Sequence, residues 1–539
     1  MKNEKLALLG DEAVALGAIH AGISAAYAYP GTPSSEIMQY CINEYAKGGP
    51  VARWVANEKT SVEAALGVSF AGKRVLVSMK HVGLNVAADA FMNATLVKIK
   101  GGLVIAIADD PGMHSSQCEQ DSRFYANFAM VPCLEPRTQQ QAYDMVREAF
   151  DVSEKFNVPV LLRLVTRIAH SRAGVTPAKP RIQNPLEKTK DRKEWTLIPA
   201  FARQNYAAHL EKQKQLQEWS SSNKANVLSG GKSDLAIITA GLGGNYYDEN
   251  LDDFLALRKK QGKSAPLHLH IGTYPLPEKQ IRKLYDETDE IIIIEEGQPF
   301  IAQRIFGIIG AELKPIIQAG ELDPDNVRMV LGLPPRKSLD IKTEPLAARP
   351  PVLCKGCPHI DSYDAIMKVV KELDPRPGHP DVGLNSDIGC YSLGVAAPWN
   401  AIESIVCMGA CVGMAKGAAE VGLKYSLAII GDSTFIHSGI PGLIDCVDAN
   451  ATMTLFILDN SSVAMTGCQP TSLPSDRLKD LLTGCGVKPE RILELEAKPN
   501  LVEENARKLK AEILEKGVSV VIFRRICIEA LRKNKKENF

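Results

Sequence analysis

Nine short, almost wholly apolar runs, separated by helical stretches, set the tightest limit on what this chain can fold into. They are Arg74 to Ser78, Gly102 to Ala108, Val158 to Leu164, Leu235 to Ala240, Leu267 to Ile271, Glu290 to Glu295, Leu427 to Gly431, Met453 to Asp459 and Ser519 to Phe523. A strand that is apolar at successive positions is buried on both faces. That is the condition of a parallel sheet covered by crossover helices. The expected class is therefore α/β, with several doubly wound parallel-sheet domains. A length of 539 residues exceeds what one core supports.

Composition shifts mark the joints. From Gly174 to Ser233 the chain is charged and proline-punctuated, then helical and polar over Glu211 to Ser220. A second break, Leu333 to Pro351, carries five prolines: Pro334, Pro335, Pro345, Pro350 and Pro351. The predicted blocks are 1–175, 231–335 and 350–539, joined by a helix-bearing linker at 176–230 and a second linker at 336–349. Lys and Arg balance Asp and Glu at 63 each, so there is no basic field for nucleic acid or an anionic membrane. No apolar run reaches the length of a bilayer span, and Met1 to Lys5 is charged with no signal-peptide core following. A cytoplasmic location is expected. Twelve cysteines in that setting are not a disulfide framework.

Two dipeptides at strand ends carry the first chemical signal. Gly431-Asp432-Ser433 follows one apolar run and Asp459-Asn460 follows another, 28 positions on (460 − 432). Doubly wound sheets bind ligands at the carboxyl ends of their strands. Mg²⁺ takes a few protein oxygens and completes its octahedron with phosphate and water. Asp432, the Asn460 side chain and the Ser462 carbonyl would supply three, with a diphosphate against the turn at Ser433. Either dipeptide alone is an ordinary turn; the pair at this spacing is not. The pattern resembles the thiamine diphosphate motif. Enzymes with that motif use a glutamate on a second domain to protonate the aminopyrimidine ring. Glu58, in Trp54-Val55-Ala56-Asn57-Glu58 before a Gly/Ala-rich helix, is the candidate. By itself it reads as a helix-start glutamate favoured by the helix dipole.

Cys354-Lys355-Gly356-Cys357-Pro358-His359 opens the third block, with Cys390 and Cys527 farther on. A Cys-x-x-Cys turn puts two thiolates on one side, and two more complete a zinc site or a [4Fe–4S] cluster. The wide separations, 33 (390 − 357) and 137 (527 − 390), are unlike a zinc ribbon, and no strand precedes the pair as in a thioredoxin-like motif. On spacing alone a lone pair with unrelated core cysteines remains open.

Longer runs carry a more specific likeness. Tyr29-Pro30-Gly31-Thr32-Pro33-Ser34-Ser35, Met79-Lys80-His81-Val82-Gly83-Leu84-Asn85 and Asp109-Asp110-Pro111-Gly112-Met113-His114 join the cysteine motif and Asp387-Ile388-Gly389-Cys390-Tyr391. Together they resemble the alpha subunits of the indolepyruvate:ferredoxin oxidoreductases, a branch of the 2-oxoacid:ferredoxin oxidoreductases. The resemblance implies thiamine diphosphate, Mg²⁺ and one [4Fe–4S] cluster on Cys354, Cys357, Cys390 and Cys527. It implies oxidative decarboxylation of a 2-oxo acid, typically an arylpyruvate, with CoA to acyl-CoA and CO₂.

Under that resemblance Thr32 and Arg123 contact the substrate, and His81 and His114 are polar or acid/base contacts. Gly409 passes backbone near the aminopyrimidine, and His359 lies beside the diphosphate. The implied partners are a small gamma-type subunit, in a dimer of heterodimers, and a separate ferredoxin-like acceptor. Cys41, Cys133, Cys407, Cys411, Cys446, Cys468 and Cys485 are left as packing residues. Two departures stand out. Cys118 occupies a position where the family has Asn, and the chain stops twelve residues past Cys527 (539 − 527) without the usual ferredoxin-like domain. A non-oxidative thiamine-dependent decarboxylase would share Glu58 and the Mg²⁺ motif but need no cluster. A non-catalytic protein of the same fold would tolerate loss of Glu58 and Asp432, and both are present.

Overall fold

Alternate residues of the strand Tyr425–Gly431 enter two different cores. Leu427 and Ile429 pack with Ile366 and Tyr363 of the helix Pro358–Leu373 on one side. Ala428 and Ile430 pack with Val412 and Ala415 of the helix Ala410–Glu420 on the other. The neighbouring strands do the same: Phe456 and Leu458 face the first core, Leu455 and Ile457 the second. This two-sided burial is why these runs read as continuously apolar. Each fully buried Leu or Ile contributes about 1.5–3 kcal/mol relative to exposure.

The computed structural model describes residues 5–45, 50–187, 191–195, 197–309, 314–315, 322–336, 351–376, 379, 381–405, 408–420 and 423–537. The chain divides into two compact units, Met1–Ile341 and Lys342–Phe539, with the boundary in the proline-rich break. Apart from Arg336, the linker expected at 336–349 lies outside the described residues, as does Cys407. Among the described residues no helix is long and apolar enough to cross a membrane.

The second unit holds a six-stranded sheet in the order Ser404–Ile405, Val382–Ser386, Tyr425–Gly431, Met453–Asp459, Val518–Arg524, Ile492–Glu496. All its pairings are parallel. The order reverses between Val382–Ser386 and Tyr425–Gly431, and a crevice opens beyond the strand ends at such a switch point.

The first unit holds a seven-stranded sheet in the order Thr273–Tyr274, Cys133–Leu134, Val160–Val165, Leu103–Asp109, Val75–Lys80, Ala25–Ala28, Val51–Trp54. Every residue of Leu103–Asp109 is buried. A five-stranded sheet is centred on Leu235–Ala240. The two segments expected as separate blocks, 1–175 and 231–335, both fall in this unit. The tie is a strand exchange: Thr273–Tyr274, just past the five-stranded sheet's Leu267–Ile271, pairs antiparallel with Cys133–Leu134. The predicted linker helix is present and longer than expected, Pro199–Ser222.

Candidate active site

In the second unit the strand register brings two carboxylates together. Gly431 pairs with Leu458, so Asp432 and Asp459 stand side by side one residue beyond. Both are buried, and each leaves one carboxylate oxygen, Oδ2, without a hydrogen bond. The other Asp459 oxygen accepts from the Ser461 amide at 3.1 Å and the Ser475 hydroxyl at 2.7 Å; Arg524 Nε stands 3.7 Å from Oδ2. Burial, and then the Asp459 carboxylate, push the Asp432 carboxyl well above the usual range. Buried acceptors crowded in this way call for a cation.

Asn460 completes the group. Its Oδ1 accepts from the Ser462 amide at 3.1 Å, and Ser462 is itself buried. Its Nδ2 lies 3.3 Å from His359 Nε2. An amide nitrogen can only donate, so His359 accepts there and carries its proton elsewhere. Burial holds that ring neutral, its pKa lowered to about 4.

Two glycines are fixed by their neighbours. A Cβ on Gly431 would meet the Tyr391 ring at 2.6 Å. Gly409 has φ +89°, and a Cβ there would meet Ser438 at 2.6 Å. Asp387, wholly buried at the end of Val382–Ser386, holds this loop by accepting from the Gly409 amide at 2.9 and 3.0 Å and the Cys411 amide at 3.3 Å.

The four assigned thiols lie in the same unit. Cys354 and Cys357 flank a turn closed by the Cys357 amide on the Cys354 carbonyl at 2.9 Å, with Gly356 at φ +81°. Cys357 is the N-cap of the helix that carries His359. The Cys527 amide donates to the Asn460 carbonyl at 3.1 Å. The Cys390 thiol is pushed up to about 12 by burial and then by the charges of Cys357, Cys527, Cys354 and Cys468. Cys357 is pushed to about 11 by burial, with Cys354 and Cys527 adding to it.

In the first unit the predicted residues gather where the strands of the seven-stranded sheet end. Glu58 is buried at the start of the helix Glu58–Phe70, whose cap Asn57 accepts from the Thr60 amide at 2.9 Å. Its carboxylate lies over Gly83 of the helix His81–Ala94, where a Cβ would meet Glu58 Oε1 at 2.6 Å. His81 is buried and its Nε2 donates to the Cys118 carbonyl at 2.9 Å, leaving Nδ1 with no hydrogen bond. Thr32 is half-buried, and its carbonyl accepts from the Ser115 hydroxyl at 3.1 Å. His114 is exposed.

Residues 16–227 match the family model for pyruvate flavodoxin/ferredoxin oxidoreductase, thiamine-diphosphate-binding. Residues 387–521 match the C-terminal binding domain of thiamine pyrophosphate enzymes. Indolepyruvate oxidoreductase subunit IorA of Archaeoglobus fulgidus is 38% identical over 98% of this chain and 87% of its own. The subunit of the same name from Pyrococcus abyssi is 33% identical over 97% of this chain and 86% of its own. The chain belongs to the IorA family of indolepyruvate oxidoreductases. It is a thiamine-diphosphate-dependent oxidoreductase subunit, and the resemblance drawn from its motifs is confirmed. The solved 2-oxoglutarate:ferredoxin oxidoreductase from Magnetococcus marinus shares the fold at TM-score 0.52 and 18% identity, over 61% of this chain and 64% of that one.

Within this IorA-family chain, where the resemblance sets Arg123 against a substrate carboxylate, the structure gives Arg123 protein carboxylates as partners. Its side chain is wholly buried between Asp121, whose Oδ1 accepts from Nε at 2.9 Å, and Glu295 at 3.0 Å, and it also donates to the Glu296 and Gln298 carbonyls. Arg163 continues the network to Asp109 at 2.6 Å and to Glu135. The guanidinium is an internal tie between the five- and seven-stranded sheets of the first unit.

Lys80 was not singled out from the sequence, yet it is the cation beside the Gly31-Thr32 turn. A Cβ on Gly31 would meet its Cβ at 3.3 Å, and its ammonium donates to the Ser115 carbonyl at 2.6 Å. Burial lowers it to about 8, with Asp110 opposing. The available signal was a charge ending an otherwise apolar strand. Cys468, taken as a packing residue, is half-buried and in electrostatic contact with Cys527.

Proposed function

We propose that this chain catalyses oxidative decarboxylation of a 2-oxo acid, an arylpyruvate by family, with CoA as acyl acceptor and an external ferredoxin-like protein as electron acceptor. Thiamine diphosphate, when bound, would supply a nucleophilic carbon for the 2-oxo group and a sink for the electrons of the lost carboxylate. Asp432, the Asn460 amide oxygen and the Ser462 carbonyl hold Mg²⁺. The unsatisfied buried oxygens at Asp432 and Asp459 fit that role. Ser433 and the turn after Gly431 take the diphosphate. Gly409 presents backbone to the aminopyrimidine, its loop held by Asp387. Glu58 holds the proton for the aminopyrimidine, and Gly83 leaves the room its carboxylate occupies. Lys80 and Thr32 receive the substrate carboxylate, with an ammonium as counter-ion. His81, with one nitrogen fixed on Cys118, positions that loop. Cys354, Cys357, Cys390 and Cys527 hold a [4Fe–4S] cluster. A small second subunit completes the enzyme.

One observation carries the oxidative reading. Asn460 is gripped by two segments that carry assigned thiols: the Cys527 amide donates to its carbonyl at 3.1 Å, and His359, two residues past Cys357, accepts from its side chain at 3.3 Å. A non-oxidative decarboxylase has no use for thiols tied to its metal-binding turn. The test is anaerobic purification with the small subunit, iron and sulfide analysis, and viologen reduction with aryl and branched 2-oxo acids. About four irons per chain and CoA-dependent dye reduction, fastest with aryl substrates, are expected. Aldehyde and CO₂ without dye reduction, from an iron-free protein, would show the non-oxidative reaction instead.

A further inference from the structure

Three helices of the first unit converge on a polar group that the reaction above does not use. Asp11 and Glu36 sit in the first turns of Gly10–His20 and Ser35–Tyr45, and His170 ends Thr166–His170. Gly10 permits the convergence. A Cβ on it would come within 2.1 Å of the Ile168 carbonyl, so any other residue would drive the first helix off the third. One ligand atom from each of Asp11, Glu36 and His170 lies within 4.8 Å of the other two.

Asp11 is wholly buried, and neither of its carboxylate oxygens has a hydrogen-bond donor. Its charged neighbours are Glu36 and Glu12, both negative. Arg172, the nearby cation, is directed to Glu12 at 3.0 Å. Glu36 Oε2 likewise lacks a hydrogen bond and stands 3.4 Å from His170 Nε2. A buried carboxylate that receives no N–H donor and faces a second carboxylate and an imidazole is costly as a free charge unless a positive charge joins it.

We propose that Asp11, Glu36 and His170 form a binding site for a divalent transition-metal cation, distinct from the Mg²⁺ site at Asp432. Two carboxylates and a neutral imidazole cancel the charge of a dication, and this mixed oxygen and nitrogen set suits the Mn²⁺ to Zn²⁺ series. The site is reachable. Glu36 and His170 are partly exposed, and His170 lines an open pocket with Thr166, Arg167 and Ser171.

Mn²⁺ is the probe, because hard Mn²⁺ avoids the thiols of the second unit. The full-length chain is loaded with thiamine diphosphate and titrated with Mn²⁺, with free metal read by electron paramagnetic resonance. Two sites per chain are expected. Asp11→Asn should remove one while leaving cofactor binding intact, and Asp432→Asn should remove the other. Crystals grown in Mn²⁺ should show an anomalous peak between Asp11, Glu36 and His170. Should Asp11→Asn fold poorly, His170→Gln on the open rim should weaken the same site at least about tenfold. An unchanged Mn²⁺ count in both variants overturns the proposal. So does a melting temperature that rises in Asp11→Asn and ignores metal, since the two carboxyls would then simply share a proton.

Discussion

His359 and Asn460, 101 residues apart, meet at 3.3 Å, with the amide as donor and a buried neutral imidazole as acceptor. The contact turns the other face of the Asn460 amide, its Oδ1, toward the Ser462 turn. Removing it should loosen the turn proposed to hold Mg²⁺ without removing any of the proposed ligands. His359→Ala is expected to weaken Mg²⁺-dependent thiamine diphosphate binding about 10–100-fold. His359→Gln, which keeps an acceptor, should recover part of the loss. Calorimetric titration of the cofactor reads both.

Glu58 and Gly83 form a second coupled pair. Glu58→Gln should cut turnover about 10²–10⁴-fold while cofactor affinity holds. Gly83→Ala puts a methyl where Glu58 Oε1 lies, 2.6 Å away, and is expected to lower kcat in an otherwise folded protein. Equal activity of Gly83→Ala and the parent would mean that the placement of this carboxylate does not matter.

Arg123 and Lys80 should separate stability from substrate binding. Arg123→Ala strands Asp121 and Glu295 in the interior, a loss of about 3–5 kcal/mol. Lys80→Ala should raise the KM for the 2-oxo acid with a smaller change in melting temperature. Denaturant unfolding beside steady-state kinetics distinguishes them. A KM effect confined to Arg123→Ala would reverse the assignment.

Cys390→Ser should lose iron while retaining thiamine diphosphate, because the thiol is flanked by the other three assigned cysteines. Cys468→Ser, next to Cys527, should keep full iron content. Iron and sulfide analysis of both variants, prepared without oxygen, decides whether the ligand set is the one assigned.

Two histidines, His270 buried and His268 half-buried, set an acid limit on the first unit. His268 and His270 both hydrogen-bond the Thr239 hydroxyl at 2.9 Å. Burial lowers them to about 4 and about 3, with Arg137 adding to the shift. The unfolded chain, near 6.5, then binds more protons than the folded one below that pH, so stability is full above about 6.5 and falls as pH drops toward 4. The loss is on the order of 2–3 kcal/mol for each ring. His268→Gln should flatten the melting-temperature profile across that window.

The strands, the α/β class and the carboxyl-end position of Asp432 and Asn460 were legible in the sequence, because each depends on local signals: an apolar run, then a turn. The long motifs were enough to place the chain in its family. Which partner each charged side chain meets was not legible. Asp121, two residues from Arg123, and Glu295, 172 positions away (295 − 123), reach one guanidinium only because Thr273–Tyr274 joins the edge of the first sheet. Asp459 meets Asp432 through a strand register, and Asp11 meets His170 through helices brought together at Gly10. A sequence carries the charge of a side chain. Its burial, and the groups left to neutralise it, are settled only when distant segments pack.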